Sequence, residues 1–346
     1  MKKTIFKYIF KMQFRTTIFA SLFVFALILL FDFAEVMRKY PISNAQETFF
    51  AIKLSLLRTP STFCEVLRYV YFVAAALCLW NLCRSHQMTI LKAIGRSPKQ
   101  ILYPFLSFAT IIAATWLLAL HPAGLWMEKL YEQNASRGAS VENNRDIWID
   151  CSQSGRVIFI KNICGDEIEG LNVFNLKDGS RIFARQASIE KNVWNLKNVA
   201  VINDDKIKSA DTMQIPNAIS SNLIELIAKA PKKQDVYGLY KIYKVQKKDR
   251  AALKTYELEL HKLLSYCFHF LLFALVAAVV CFPINRYKTR TIVAIKVIAT
   301  ATFLKFANSA LESLAHCGAI PPELACWAAP AVLTCFSIAA LVWREA

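Results

Sequence analysis

Six long apolar runs, three before and three after a stretch of about 140 mostly polar residues, constrain this 346-residue chain more than any single motif. The runs are 16–33, 61–82, 101–120, 263–282, 291–311 and 324–343. Each is long enough, as a helix rising ~1.5 Å per residue, to cross ~30 Å of hydrocarbon or most of it. The predicted fold class is an α-helical membrane protein of six transmembrane helices carrying one inserted all-β domain. Its expected parts are residues 1–120, residues 121–262 and residues 263–346. Hydrophobic residues make up 55% of the chain, so only a minority of it can fold in water.

Basic residues give an expected orientation, because Lys and Arg beside spans are retained in the cytoplasm. The amino-terminal end offers Lys2, Lys3, Lys7, Lys11 and Arg15. The second connection offers Arg84, Lys92, Arg96 and Lys99, and the fourth offers Arg286, Lys288 and Arg290. All three fall on one side, which puts 121–262 outside and both termini inside. The net charge of +17 follows the same division. The segment 121–262 holds 22 Lys and Arg against 18 Asp and Glu, and the remainder 20 against 7, so most of the excess belongs to the membrane part. That argues for topology and anionic headgroups, and against nucleic acid. The first run is longer than the apolar core of a signal peptide and is followed by no small-residue cleavage site, so it is expected to remain as a membrane helix.

Strand signals fill the polar insert. Alternating or β-branched runs occur at 147–149, 157–160, 171–176, 181–189 and 193–202, with turn pairs between them, and imply an antiparallel sandwich or jelly roll. Residues 220–229 and 237–254 read as helices. Of ten cysteines, Cys151 and Cys164 alone lie in the insert. The turn at Ser154-Gly155 sets Cys151 opposite a residue near Val157, short of Cys164, so free thiols are expected ahead of a disulfide.

The sequence carries no phosphate-cradling Gly-Lys-Ser/Thr loop, no His-Glu-x-x-His and no Cys-x-x-Cys. No catalytic residue, metal site or cofactor is expected, and energy for any work must come from a partner or an ion gradient. The membrane histidine His269 reads as a helix-contact residue. Residues 84–96 form a short connector helix. Ser85 can cap it, Met88, Leu91 and Ile94 share one face, Gly95 can close it, and Ser97-Pro98 starts the next span. It can rest on lipid or insert into a groove on a cytoplasmic motor.

The stretch His86-Gln87-Met88-Thr89-Ile90-Leu91-Lys92-Ala93-Ile94-Gly95-Arg96-Ser97 resembles the Ser-Glu-Leu…Leu-Arg-Ala-x-Gly-x-Ser segment of the LptF/LptG family of lipopolysaccharide export permeases. Further matches are Lys7-Tyr8-Ile9, Val193-Trp194-Asn195-Leu196, Tyr256-Glu257-Leu258 and Ile320-Pro321-Pro322, so the resemblance covers essentially the whole chain. The 157–170 stretch with Trp194 looks closer to the LptG branch. The resemblance implies a bacterial inner-membrane permease with a periplasmic jelly roll. Its implied partners are an LptF-type paralogous permease, an LptB-type ATPase dimer, an LptC-type jelly-roll protein and lipopolysaccharide. His86, Gln87, Met88, Leu91, Lys92, Ile94 and Gly95 would then form the ATPase-coupling helix, with Gln87 standing where the family carries an acid.

Charged residues at the outer ends of spans are the lipid-binding candidates: Asp32, Glu35, Arg38, Lys39, Arg58, Arg68 and Lys305, the last the most suggestive because it lies within a span. The alternative is internal pairing, for example Arg68 with Glu65 or Lys305 with Glu312. Val157, Phe159, Phe174 and Trp194 are candidates for a jelly-roll interior that takes acyl chains or is simply filled by its own core. Two rival functions stay open, the LptF-type or homodimeric role in the same exporter, and a membrane sensor through which no lipid crosses.

Overall fold

The computed structural model describes residues 2–39, 45–95, 97–135, 147–151, 155–164, 167–175, 179–190, 193–203, 206–216, 234–249, 254–282 and 290–343. The helix expected at 220–229 lies outside the described residues. The described helices are α1 (Lys2–Lys39), α2 (Ala45–Arg84), α3 (Gln87–Ala93), α4 (Pro98–Thr115), α5 (His121–Ala135), α6 (Val236–Asp249), α7 (Lys254–Cys281), α8 (Arg290–His316) and α9 (Pro322–Trp343). The chain divides into two compact units, Met1–Gly138 with His261–Ala346, and Ala139–Leu260.

Six helical stretches are long and apolar enough to cross a bilayer: Lys3–Lys39, Gln46–Arg84, Gln100–Ala135, Thr255–Cys281, Thr291–His316 and Pro322–Trp343. The third exceeds its predicted run because a π-turn, Trp116–Leu120, joins α4 to α5 without breaking the helix. That turn carries Trp116 inward, where its indole Nε1 donates to the Cys64 carbonyl at 2.9 Å. Close approach of α5 to α2 depends on Gly124, since a Cβ there would stand 3.3 Å from Cys64 Sγ and 3.5 Å from the Pro60 carbonyl.

Hydrocarbon gives packed helices no hydrophobic reason to associate, so small residues and polar contacts must hold them. Ala274, Ala277, Ala278 and Cys281 line one buried stripe of α7, and Ala74, Ala75 and Cys78 are buried on α2. Cys281 Sγ reaches the Ala76 carbonyl at 3.4 Å, Cys83 Sγ the Cys281 carbonyl at 3.7 Å, and Ser265 Oγ donates to the Cys326 carbonyl at 2.8 Å. Fully buried rings fill the centre. Tyr71, Phe72, Phe270 and Phe273 interlock across α2 and α7, and the Tyr71 hydroxyl donates to the Phe105 carbonyl at 3.1 Å. By contrast α1 and α8 expose large apolar side chains, among them Phe19, Phe23, Phe31, Ile298, Phe303 and Phe306. Faces of that size belong against lipid or another membrane helix.

The second unit carries one antiparallel sheet: β1 (Ile147–Cys151), β2 (Arg156–Cys164), β3 (Glu167–Asn175), β4 (Arg181–Glu190), β5 (Val193–Asn203) and β6 (Lys206–Pro216), in the order β1 to β6. The inserted antiparallel β domain is as the sequence predicts. Its described strands run as a next-neighbour meander, with no Greek-key crossing among them. The strand β6, whose Lys, Ser, Asp and Gln interrupt any apolar run, had no signal of its own. Pairing puts Cys151 opposite Arg156, one residue from the expected partner, and Cys164 opposite Glu167.

The pleat of this sheet changes phase partway along its strands. Ile160, Leu171, Ala184 and Val199 form one buried row across β2 to β5. Strict alternation would next bury Glu169, Gln186 and Lys197, which are exposed; the next buried row is Ile168, Ala187 and Leu196, three residues on. Between the rows Gly170 and Asn198 adopt positive φ of 69° and 53°. The left-handed conformation at these positions flips the inward face along a crease across the sheet, as bulged or bent strands do.

Candidate functional site

Four of the charged candidates meet where α1 and α2 run side by side. Asp32, Glu35 and Lys39 recur at helical spacing on α1, facing Arg58 and Thr59 of α2. Asp32 is buried, accepts from the Thr59 hydroxyl at 3.1 Å, and lies 3.9 Å from Arg58 Nε. Arg58 pairs with Glu35 at 2.9 Å, and Lys39 closes on the same carboxylate at 2.7 Å. Two acids and two bases thus neutralise one another, with the buried Asp32 oxygen as the part most costly to leave unpaired. Arg38, one residue before Lys39, points out of the cluster and is exposed.

Arg68 lies in a separate polar pocket inside the bundle. It is 9% exposed, its guanidinium carbon stands 3.3 Å from the Tyr266 ring centroid and 5.0 Å from that of Tyr69, and its Nε and one terminal nitrogen have no hydrogen-bond partner among the described residues. The Tyr266 hydroxyl contacts Glu312 at 3.4 Å, and Glu312 pairs with Lys262 at 3.2 Å. Glu312 is therefore committed to α7, not to Lys305, which is exposed on α8. Next to this group His269 Nδ1 donates to the Ser265 carbonyl at 2.6 Å, and its Nε2 faces Asn308 Nδ2 at 3.0 Å, an arrangement that suits the Nδ1–H imidazole. Asn308 Oδ1 is buried without a partner among the described residues. Lys262, Tyr266, His269, Asn308 and Glu312 were not singled out as ligand-binding from sequence. The signal was present in the three- and four-residue spacing of Lys262, Tyr266, His269 and Phe273 along one face of α7.

The connector is a short helix held between spans. The Ser85 hydroxyl donates back to the Asn81 carbonyl at 2.8 Å, so it serves the end of α2 instead of capping α3, and the turn runs through His86 at φ 58°. Gly95 takes φ 80° and Ser97 Oγ accepts from Gln100 N ahead of Pro98, as the punctuation predicts. Met88 and Leu91 are buried within the chain, whereas Ile90 and Ile94 are 56% and 51% exposed. Ile90, Ile94 and Gly95 are thus the exposed residues of the connector, while Met88 and Leu91 turn into the chain. Gln87 turns toward its own chain, with Nε2 donating to the Tyr8 hydroxyl of α1 at 3.2 Å. Lys92 is part of α3.

In the β domain Trp194 is buried, while Val157, Phe159 and Phe174 are half-buried and sit on the opposite face from Ile158, Ile160 and Val173. The pleat puts them there: Val157 pairs with Phe174 and Phe159 with Asn172, in rows offset by one from the buried ones. Among the described residues no three of His, Cys, Asp and Glu gather as a metal site would require.

A family model described as lipopolysaccharide export system permease LptF/LptG matches residues 7–344. No curated protein matches the chain.

Proposed function

The chain belongs to the LptF/LptG family of lipopolysaccharide export permeases, and on that premise we propose that it is a non-catalytic permease subunit of an ABC-type exporter. It draws lipopolysaccharide from the outer leaflet of a bacterial inner membrane and passes it to a periplasmic bridge, powered by ATP hydrolysis in a separate cytoplasmic ATPase dimer. Both termini face the cytoplasm, the β domain faces the periplasm, and the LptG role is the one we assign. A paralogous LptF-type permease and an LptC-type protein complete the assembly.

The observation that carries this reading is the match of one permease family across nearly the whole chain, supported by six apolar helices and the inserted sheet. The residue assignments follow from placement. Exposed Arg38 and Lys305 are the cations free to meet lipid phosphate. Arg68 is a buried cation with two guanidinium nitrogens unpaired among the described residues, and Asp32, Glu35, Lys39 and Arg58 set the geometry of the α1–α2 outer end. Ile90 of α3, with Ile94 and Gly95 in the turn that follows it, docks the ATPase, and the Gln87–Tyr8 bond relays movement of α3 to α1. Isolation of the intact chain from its native membrane, with mass spectrometry of proteins and lipids, tests the proposal. Recovery of an ATPase, a second six-span permease and a phosphorylated glycolipid is expected. Recovery of the chain with only bulk phospholipid would overturn it and favour a sensor.

A further inference from the structure

Where α1 begins, its first turns stand beside α3 and the start of α4, and a cavity of about 480 Å³ lies between them, lined by Lys3, Ile5, Phe6, Leu91, Ile101, Tyr103 and neighbouring side chains. The lining is mostly apolar. Leu91 and Ile101 are buried and form its floor, Tyr103 is 64% exposed at its rim, and the Phe6 and Tyr103 rings meet at a tilt of 48° with centroids 5.9 Å apart. Lys3 lines the opening, and Lys7, Lys11 and Arg15 follow it at every fourth residue along α1, all exposed, with no acidic residue before Asp32. A helix with that spacing presents a cationic stripe ~18 Å long that meets an apolar groove at its start. The juxtaposition matches one ligand class, an amphiphile with a hydrocarbon chain and an anionic head.

We infer that this groove binds an anionic glycerophospholipid, with an acyl chain against Phe6, Leu91 and Ile101 and the phosphate on Lys3 and Lys7. Charge complementarity selects the head, since each cation near an anionic surface favours binding about fivefold. The apolar floor makes the site more than a headgroup patch, because a lipid seated there would touch α1, α3 and α4 together. Leu91 belongs to the same short helix whose other face carries Ile90 and Ile94, so occupancy of the groove would brace that helix. The inference does not depend on the export reading or on which way the chain faces the membrane.

The test is native mass spectrometry of the purified full chain in mild detergent, incubated with phosphatidylglycerol or with phosphatidylcholine of the same acyl chains. One phosphatidylglycerol should survive per chain under conditions that strip phosphatidylcholine. Lys3→Gln with Lys7→Gln should lower the retained phosphatidylglycerol at least tenfold. Ile5→Trp, which fills the groove and leaves the cations in place, should lower it as well. Equal retention of the two lipids, or wild-type retention in both variants, would mean annular lipid only and would overturn the inference. Displacement of phosphatidylglycerol by an equal concentration of a multi-acylated phosphoglycolipid would also overturn it, making the groove a station for that lipid.

Discussion

The Arg68 guanidinium lies over the Tyr266 ring at 3.3 Å from its centroid, joining α2 to α7 through a cation and a π face deep inside the bundle. The ring supplies what a carboxylate would otherwise have to, and a desolvated contact of this kind contributes about 2 kcal/mol. Tyr266→Leu should therefore lower the thermal midpoint of the detergent-solubilised chain clearly. Arg68→Met, which removes the charge together with its unused donors, should lower it less. A larger loss in Arg68→Met would show that Arg68 has a compensating partner of its own.

At the carboxyl-terminal end of α1 the pairs differ in worth because they differ in burial. Arg58→Ala leaves the Asp32 carboxylate buried with only Thr59 and should cost about 3 to 5 kcal/mol. Lys39→Ala breaks an exposed pair and should cost no more than about 1 kcal/mol. Adding Asp32→Asn to Arg58→Ala should restore part of the loss. Denaturant titrations of the parent chain, Arg58→Ala, Asp32→Asn and the double variant form the cycle, and additive losses would contradict the coupling.

On the connector, Ile94→Glu and Leu91→Glu should fail in different ways. Leu91 is 9% exposed, so a glutamate there buries a charge and should reduce the yield of folded protein. Ile94 is 51% exposed, so Ile94→Glu should leave folding intact while weakening capture of the ATPase and glycolipid release from membranes. Full ATPase capture by Ile94→Glu would remove this face from the docking surface.

The crease in the sheet can be tested at one glycine. A Cβ at Gly170 would stand 2.9 Å from Lys161 Cβ at a backbone φ of 69°, so Gly170→Ala should destabilise the β domain by at least 1 to 2 kcal/mol, about the cost of the left-handed conformation alone. Gly179 has a similar φ of 63° with nothing within 4 Å of the added atom, so Gly179→Ala should cost less. Limited proteolysis of the full chain under increasing urea would rank the two.

The membrane helices were legible because hydrocarbon demands long uninterrupted apolar runs, and five strands were legible through alternation. Sequence could not follow α4 into α5, since the helix crosses His121-Pro122 by a π-turn that composition does not announce. Period-two reading carried Val157 and Phe159 inward as easily as Ile158 and Ile160, because both faces of β2 are apolar and only the partner strands decide. Helical periodicity placed Met88, Leu91 and Ile94 on one face of the connector, but which part of that face meets its own chain is set by α1 and α4. Arg68 stood out as a charge within an apolar run, while its ring partner lies almost 200 residues away and no local pattern joins them.

Between Arg15 and Asp32 the first helix has sixteen uncharged residues, a span of ~24 Å. Hydrocarbon ~30 Å thick does not match that length, and tilting the helix would only shorten its reach across the bilayer. Asp32 is held inside the chain by Thr59 and Arg58 and need not reach the headgroups, so the mismatch falls on the Arg15 end, where the side chain snorkels and the bilayer thins around it. Lipid in a thinned annulus is already strained, so less work is needed to lift it out of the bilayer there than elsewhere. Thinning around the reconstituted chain should then grow with the length of the surrounding acyl chains.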